Sequence, residues 1–220
     1  MRKYCPPIEP FLSIVYEDSS LLVLNKPSGL LSVPGRDLAH KDSLTSRVQQ
    51  SYSEALTVHR LDMDTSGLVV MARSPEVHRK LSRLFQNREV DKTYLARVWG
   101  VPAADSGEVD LPLICDWPNR PRQKVDFEVG KPSFTRWEKI SSSKESSLLR
   151  LLPVTGRSHQ LRVHMQAIGH PILGDPFYAN SEALAAAPRL LLHAGALSFN
   201  HPETQERLHF TSELPDSFSA

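Results

Sequence analysis

The stretch GLVVMARSPEVHRKLSRLF, residues 67–85, contains the two clearest secondary-structure signals of this 220-residue chain. Its first six residues form an apolar run between polar neighbours, which predicts a buried central strand. Ser74 is a favoured N-cap, and Pro75 suits the first position of a helix. Four apolar residues then recur on one helical face: Val77, Leu81, Leu84 and Phe85. The second half of the stretch therefore predicts an amphipathic helix.

Strand-like segments dominate the rest of the chain. They are FLSIVYED (11–18), LLVLNKPSG (21–29), KTYLARVWG (92–100), QKVDFEV (123–129), SFTRWEKI (133–140), SLLRLLPV (147–154) and RLLLHAGALSF (189–199). Two more helices are predicted: DSLTSRVQQSY (42–52), capped by Asp42, and SHQLRVHMQAIG (158–169), which ends at Gly169. Because strands and helices do not alternate regularly, we predict an α+β fold with a mixed, mainly antiparallel sheet flanked by a few helices.

The composition is that of a soluble globular protein. Hydrophobic residues make up 40% of the chain and charged residues 23%, which is enough apolar material for a sizeable core. No segment has the length of a membrane span or the pattern of a signal peptide, so we expect a cytoplasmic protein. Cys5 and Cys115 are far apart and outside any CxxC motif, which argues against a disulfide framework or a zinc ribbon.

The net charge of +1 hides an uneven distribution of charge. Residues 150–173 contain three arginines and three histidines but no acidic residue. WPNRPRQK, residues 117–124, contains three basic residues and no acid. Such segments can form basic surfaces for phosphates, although scattered solvated charges would give the same pattern.

VHRLDMDTSG, residues 58–67, places two acids next to a histidine and an arginine. Asp62 and Asp64 could share a metal ion, divide acid and base roles in a hydrolysis, or cap a turn. If the segment is extended, Arg60 lies on the same face as Asp62 and Asp64, and its positive charge would compete with a cation there. His159 and His164 are five residues apart, which does not place both on one helical face as in HExxH. We therefore expect no metal site.

The chain contains neither a P-loop nor a GxGxxG motif, so the sequence gives no support for a nucleotide cofactor. What remains is an acid beside basic residues. A carboxylate next to an arginine stays ionised, and an ionised, poorly solvated aspartate can serve as a nucleophile at a sugar carbon. Spacing alone does not separate that role of Asp62 from a structural one.

Four motifs occur in a fixed order along the chain: HRLDMDTSG, DKTYLA, TGRSHQLRVHMQAIGHPILGD and RLLLHA. Together they resemble the RluA family of pseudouridine synthases, and the resemblance extends from NKPSGLLSVPG to LLLHA. It implies that family's bent-sheet catalytic fold and isomerisation of uridine to pseudouridine, without a metal or other cofactor. The implied partner is RNA, in stem-loops of 23S rRNA and the tRNA anticodon arm, bound by a monomer, with no DNA or membrane partner.

Many members of the family also carry an N-terminal S4-type RNA-binding domain. Only about ten residues precede the first predicted strand here. We therefore expect a lead at residues 1–10 and a single catalytic domain at 11–220, which holds compact RNA loops by shape and unstacked bases.

The resemblance also implies a role for each motif residue. Asp62 matches the catalytic aspartate, Tyr94 the tyrosine that stacks on the target uracil and moves a proton, and Arg162 the arginine that pairs with the aspartate. Arg60 matches a residue that fills the space left by the flipped nucleotide, while Asp64 is expected to cap a loop. The remaining predicted substrate-binding residues are His59, Arg157, His159, Leu191, Leu192 and His193.

The sequence alone is also compatible with two other functions. In a nucleic-acid N-glycosylase, water would intercept the sugar intermediate and free base would be released. In a non-catalytic RNA-binding or assembly module, the basic segments would matter and Asp62 would not.

Overall fold

The computed structural model describes residues 4–218. The chain divides into two compact units. Unit 1 comprises the chain up to Lys92 together with Ala194–Glu213, and unit 2 comprises Thr93–His193 together with the chain from Leu214. Antiparallel strand pairs and a few helices make up the described residues, so the predicted α+β class with a mainly antiparallel sheet is confirmed.

The described residues contain twelve strands. In chain order they are β1 (Ile14–Glu17), β2 (Leu21–Lys26), β3 (Leu56–Thr57), β4 (Ser66–Ala72), β5 (Asp91–Trp99), β6 (Ser106–Asp110), β7 (Leu113–Cys115), β8 (Gln123–Val125), β9 (Phe134–Ser142), β10 (Ser146–Pro153), β11 (Leu192–Asn200) and β12 (Arg207–Thr211). The four α-helices described are α1 (Leu44–Val48), α2 (Pro75–Asn87), α3 (Gln160–Ala167) and α4 (Ser181–Ala185).

In unit 1 the strands lie in the order β1-β2-β4-β11, with β3 paired to β4 and β12 paired to β11. All seven residues of β4 are buried, as the apolar run predicts for a central strand. β2 runs antiparallel to β4, and Leu22 lies opposite Met71 while Leu24 lies opposite Val69. The unit 1 core therefore forms around a fully buried strand.

Helix α2 covers one side of this core. The Oγ of Ser74 accepts a hydrogen bond from the Val77 N–H at 3.2 Å, which satisfies one of the free N–H groups of the first turn. Val77 and Leu81 are buried in the same apolar cluster as Val70. The C-cap of the helix is Arg88, whose φ of 64° is left-handed. Its predicted start and apolar face are thus confirmed.

Helix α1 is shorter than predicted and has a different cap. Ser43, not Asp42, is the N-cap, and its Oγ accepts from the Ser46 N–H while the Ser46 Oγ accepts from the Ser43 N–H. Asp42 instead forms two hydrogen bonds with the buried guanidinium of Arg47, at 2.8 and 2.7 Å. The prediction failed because either polar side chain could cap the same turn.

In unit 2 the strands lie in the order β5-β10-β9-β6, and β7 and β8 form a separate two-stranded ribbon. The predicted strand at 123–129 ends at Val125. Asp126 turns the chain there, because its Oδ1 accepts from the N–H groups of Glu128 and Val129. The core of this unit packs Leu161 and Met165 of α3 against a set of buried leucines: Leu149, Leu151, Leu173, Leu190, Leu191 and Leu192.

None of the helices between residues 4 and 218 combines the length and apolarity required to cross a bilayer.

Candidate active site

Asp62 lies in the loop between β3 and β4 of unit 1 and is half-buried. Its carbonyl accepts a hydrogen bond from the Thr65 N–H at 3.2 Å, which closes a turn before the strand begins. The residues on either side of this turn, Leu61 and Thr65, are buried. The position of Asp62 is therefore set by a short, packed loop.

The main chain of this loop is anchored by the segment at 26–32. Four of its members donate to loop carbonyls: Lys26 Nζ to Met63 at 3.0 Å, Gly29 N–H to Met63 at 2.9 Å, Ser28 Oγ to Asp64 at 2.7 Å and Ser32 Oγ to Leu61 at 2.7 Å. The Ser32 Oγ also accepts from the Leu61 N–H at 3.1 Å. Hydrogen bonds thus fix the backbone on both sides of Asp62.

Lys26 is fully buried, with none of its side chain exposed. Besides Met63, its Nζ donates to the carbonyls of Pro27 at 2.9 Å and Leu30 at 2.7 Å. Three carbonyl oxygens therefore compensate for the loss of water around the amine. Lys26 ties the end of β2 to the loop that carries Asp62.

His59 and Arg60 precede Asp62 but differ in environment. Arg60 is exposed. The His59 ring stacks on Phe85 with centroids 4.5 Å apart, and its Nε2 accepts from the Val70 N–H at 3.0 Å. Burial, with a smaller effect of the Lys92 charge, lowers the pKa of His59 to about 3. His59 is consequently neutral at pH 7, and its predicted substrate contact stays a prediction.

Arg162, in the first turn of α3, forms a buried ion pair in unit 2. Its Nε and one terminal nitrogen donate to the two carboxylate oxygens of Asp175, at 2.8 and 2.7 Å. The Asp175 Oδ1 also accepts from the N–H groups of Phe177 at 2.9 Å and Tyr178 at 3.2 Å. Both rings lie 5.2 Å from the Arg162 guanidinium carbon. The orientation of the guanidinium is therefore fixed by two hydrogen bonds and two aromatic rings.

The loop before α3 carries two other predicted residues, Arg157 and His159. Arg157 is exposed, and its N–H donates to the Gln160 Oε1 at 3.0 Å. His159 is the N-cap residue of α3 with a left-handed φ of 53°, and its Nδ1 lies 2.7 Å from the hydroxyl of Tyr178. His159 and Arg162 thus both contact Tyr178, which brings two of the predicted residues together.

Tyr94, Leu191, Leu192 and His193 belong to the strands of unit 2. Tyr94 lies on β5 opposite Leu151 of β10 and packs against the apolar cluster that contains Leu191 and Leu192. His193 is buried, and its ring centroid lies 6.3 Å from that of Phe218. The tyrosine and the two leucines therefore share one apolar surface.

His164 does not have the environment of a metal ligand. Its Nδ1 lies 2.9 Å from the Thr135 Oγ1 and its Nε2 lies 3.1 Å from the Leu111 carbonyl oxygen. Across residues 4–218, no group of three or more His, Cys, Asp or Glu side chains is arranged to hold a metal ion.

Sequence reasoning assigned no role to Asp175 or to Lys26 and Ser32. All three lie in quoted motifs: Asp175 ends GHPILGD, and the other two lie in NKPSGLLSVPG. A signal for Asp175 existed, because an arginine on an apolar helix face requires a carboxylate partner when it is buried. Lys26 and Ser32 bind main-chain atoms, and such contacts cannot be recognised from the residue types in a sequence.

Residues 20–167 match the model of the RNA pseudouridylate synthase family, and this range contains Asp62, Tyr94 and Arg162. The chain therefore belongs to the RNA pseudouridylate synthase family, and it is an isomerase that acts on RNA.

Several named proteins and solved structures are similar to this chain. The dual-specificity RNA pseudouridine synthase RluA of Escherichia coli K12 is 58% identical over 92% of this chain and 93% of its own length. The protein of the same name from Salmonella typhi is 57% identical over 99% of both chains. Among solved structures, human RNA pseudouridylate synthase domain containing 1 has a TM-score of 0.76 at 29% identity, over 92% of this chain and 83% of that chain.

Proposed function

We propose that the protein isomerises uridine to pseudouridine in structured stem-loops of 23S rRNA and of the tRNA anticodon arm. The relatives from E. coli and Salmonella are named dual-specificity enzymes, and we assign these two RNA classes as the two specificities. Both RNAs occur in the bacterial cytoplasm, where we place the protein, acting as a monomer.

The reaction breaks the N1–C1′ bond, turns the base and joins C5 to C1′. The proton on C5 leaves and N1 gains a proton, so no oxidant, reductant or metal is consumed. Because the reacting edge of uracil is inaccessible in a stacked helix, the nucleotide is first extruded. Arg60, exposed two residues before Asp62, fills the vacated space and holds phosphates.

Asp62 is the nucleophile in this proposal. The observation that carries the assignment is the anchored loop, in which main-chain carbonyls on both sides of Asp62 accept hydrogen bonds from residues 26–32. A nucleophile gains rate when its backbone is fixed in advance, since less freedom is lost on reaching the reacting atom.

Tyr94 and Arg162 complete the catalytic set. Stacking of the extruded uracil on Tyr94 replaces base stacking, which is worth roughly 1–3 kcal/mol. The guanidinium of Arg162 is buried and oriented by Asp175, and we assign it the role of the arginine that pairs with the catalytic aspartate in the family. Leu191 and Leu192 supply apolar surface for the base, while His193, Arg157, His159 and His59 are assigned to the RNA.

The test uses rRNA and tRNA labelled with tritium at uridine C5, taken from a strain that lacks the enzyme. Wild-type protein should release tritium, and Asp62→Asn should release none, because its amide is not a nucleophile. Asp64→Asn is the matched control, since the residue lies in the same loop and its carbonyl, which accepts from Ser28, is unchanged. We expect it to retain activity.

The outcomes separate the proposal from its alternatives. Equal tritium release by wild type and Asp62→Asn would remove Asp62 from the mechanism. Release of free uracil with abasic RNA would identify an N-glycosylase. RNA binding without tritium release by the wild type would identify a non-catalytic module.

A further inference from the structure

The chain enters unit 2 a second time at residues 214–218, which form the return segment. The segment ends in the 3₁₀ turn Asp216–Phe218. Phe218 is 1% exposed and belongs to the same apolar cluster as Leu191 and Leu192. The return segment therefore packs on the leucines that the proposed function assigns to the base.

Arg97 of β5 links the return segment to these leucines. Its Nε donates to the Phe218 carbonyl at 2.9 Å, and one terminal nitrogen donates to the Ser146 Oγ at 3.1 Å. Its main-chain N–H donates to the Leu191 carbonyl at 3.1 Å. Because a buried guanidinium is costly unless hydrogen bonds replace the lost water, the contact with Phe218 restricts both partners.

Arg189 makes a second link between the same segments. Two of its nitrogens donate to the Ser217 Oγ, at 3.2 and 2.7 Å, and the third donates to the Leu190 carbonyl at 3.1 Å. Its guanidinium carbon lies 5.5 Å from the centroid of the Phe218 ring. Arg189 therefore holds Ser217 and Phe218 next to Leu190.

The Phe218 ring also contacts His193. The centroids of the two rings lie 6.3 Å apart and their planes meet at 69°, the edge-to-face arrangement that aromatic rings favour. Residues 190–193 form the wall segment, which contains both leucines assigned to the base. Contacts of the return segment, directly or through the two arginines, thus extend along the whole wall segment.

Half of the wall segment lies outside regular secondary structure, since β11 begins at Leu192. Leu191 is bound by its N–H to the Leu173 carbonyl at 3.0 Å and by its carbonyl to Arg97. Leu190 is bound by its carbonyl to the side chain of Arg189. A segment with few main-chain hydrogen bonds depends on its neighbours for a fixed position.

We propose that Phe218 is a positioning residue for the isomerisation, because it holds the wall segment against the extruded uracil. After the N1–C1′ bond breaks, the free base must turn and present C5 to C1′. A fixed wall limits the orientations that the base can take, so fewer turns are unproductive. The inference rests on the proposed function, and it adds a residue that acts through the wall segment without touching the RNA.

The test measures single-turnover tritium release at saturating enzyme, with tRNA labelled at uridine C5 from the strain that lacks the enzyme. Phe218→Leu keeps an apolar side chain but removes the ring contacts with His193 and Arg189. We expect the rate to fall roughly 10- to 100-fold, as for a small misplacement of reacting groups. The dissociation constant of the tRNA should not change, because Phe218 is buried away from the RNA.

Phe199→Leu is the matched control. Phe199 is 0% exposed in the core of unit 1, and its ring centroid lies 6.0 Å from that of Phe210. Both substitutions leave unfilled space at a buried position, so both should lower the Tm. Only Phe218→Leu should slow tritium release. A wild-type rate for Phe218→Leu, or equal slowing by both variants, would overturn the proposal.

Ser217→Ala tests the same link at an exposed residue, where the fold is less at risk. It removes the acceptor of two hydrogen bonds from Arg189. We expect a smaller loss of rate with an unchanged dissociation constant. Ser198→Ala, which removes a hydroxyl 2.6 Å from the Nδ1 of His209 in unit 1, should keep the wild-type rate. If Phe218→Leu does not fold, a wild-type rate for Ser217→Ala overturns the proposal.

Hydrogen exchange separates failure of this inference from failure of the proposed function. Amides of the wall segment should exchange faster in Phe218→Leu than in wild type, and at the wild-type rate in Phe199→Leu. If wild type releases tritium and Phe218→Leu releases it equally fast, only the positioning role is wrong. If wild type releases no tritium, the isomerase proposal fails, and exchange still decides whether Phe218 holds the wall segment.

Discussion

Asp175 illustrates how a residue that sequence analysis left without a role can determine the geometry of a predicted catalytic residue. Its carboxylate and the guanidinium of Arg162 are 0% and 2% exposed. An ion pair in such a place is costly to break, because removal of one partner leaves a buried charge without compensation. The GHPILGD end of the motif TGRSHQLRVHMQAIGHPILGD is therefore needed to orient the arginine of its earlier part.

Asp175→Asn should reduce the free energy of unfolding by roughly 3–5 kcal/mol, because the neutral amide leaves the Arg162 charge unbalanced. It should also reduce tritium release, since Arg162 loses its fixed orientation. Urea unfolding measures the first effect. Glu138→Gln is the control: its pair with Arg150 is about half exposed, at 48% and 47%, and should contribute only about 0–1 kcal/mol. Similar losses in both variants would show that the buried pair has no special importance.

At the scale of secondary-structure elements, Gly67 shows why the TSG of the Asp62 motif is required. Its φ of 113° lies in the region that favours glycine. A Cβ at this position would lie 2.3 Å from the carbonyl oxygen of Ala194 and 2.6 Å from its nitrogen. The strand that follows the Asp62 loop thus approaches the backbone of β11 too closely for any side chain.

Gly67→Ala should destabilise unit 1 by more than the roughly 1–3 kcal/mol expected from backbone strain alone, because the Ala194 backbone must also move. Gly169→Ala separates the two effects. Gly169 has a similar φ of 85°, but an added Cβ would meet nothing within 4 Å. Thermal unfolding should rank Gly67→Ala as the more damaging change. Equal effects would mean that the contact with Ala194 relaxes without cost.

The elements that the sequence predicted well were those with local signals. Ser74 and Pro75 fixed the start of α2, and the uninterrupted apolar run predicted β4. Strands β6 and β12 were not predicted, because they are short and polar: SGEVD and RLHFT. At the start of α3, the left-handed His159 makes no capping hydrogen bond with its side chain, and its ring instead contacts Phe177 and Tyr178, which are distant in sequence.

The candidate site was predictable to a similar extent. The order of the motifs predicts Asp62, Tyr94 and Arg162 as catalytic residues, but the contacts that hold Asp62 and Arg162 come from residues distant in sequence. Ser32 and Leu61 are 29 positions apart, and Arg162 and Asp175 are 13 apart. Such pairings follow from tertiary packing, which single-sequence periodicity does not encode.

At the scale of the whole molecule, each unit contains a histidine whose pKa is lowered by loss of solvent. Burial lowers the pKa of His59 in unit 1 to about 3, and burial likewise lowers the pKa of His164 in unit 2. In the unfolded chain both rings titrate near pH 6.5. Below pH 6.5 the unfolded chain therefore binds more protons than the folded protein. The contribution of the two neutral rings to stability is complete above pH 6.5 and is lost as the pH falls, and for His59 this loss continues down to about pH 3.

The free energy of unfolding should therefore fall between pH 6.5 and pH 4.5, by up to about 1.4 kcal/mol per pH unit from His59, and the lowered pKa of His164 adds to this fall. Urea unfolding at several pH values measures this slope. His59→Gln and His164→Gln should each make the slope shallower, whereas a change at the exposed His209 should leave it unaltered. A wild-type slope in both buried-histidine variants would assign the acid sensitivity to other groups.

The burial of Lys26 makes its amine a reporter of local opening. Amine-modifying reagents react quickly with exposed lysines, but Lys26 becomes accessible only when the segment at 26–32 separates from the Asp62 loop. The rate at which this one lysine is modified in the native protein therefore measures how often that loop opens. Mass spectrometry can measure this modification rate with and without bound RNA. A slower rate with RNA would show that substrate reduces the opening of the Asp62 loop, and the measurement needs no mutation in that loop.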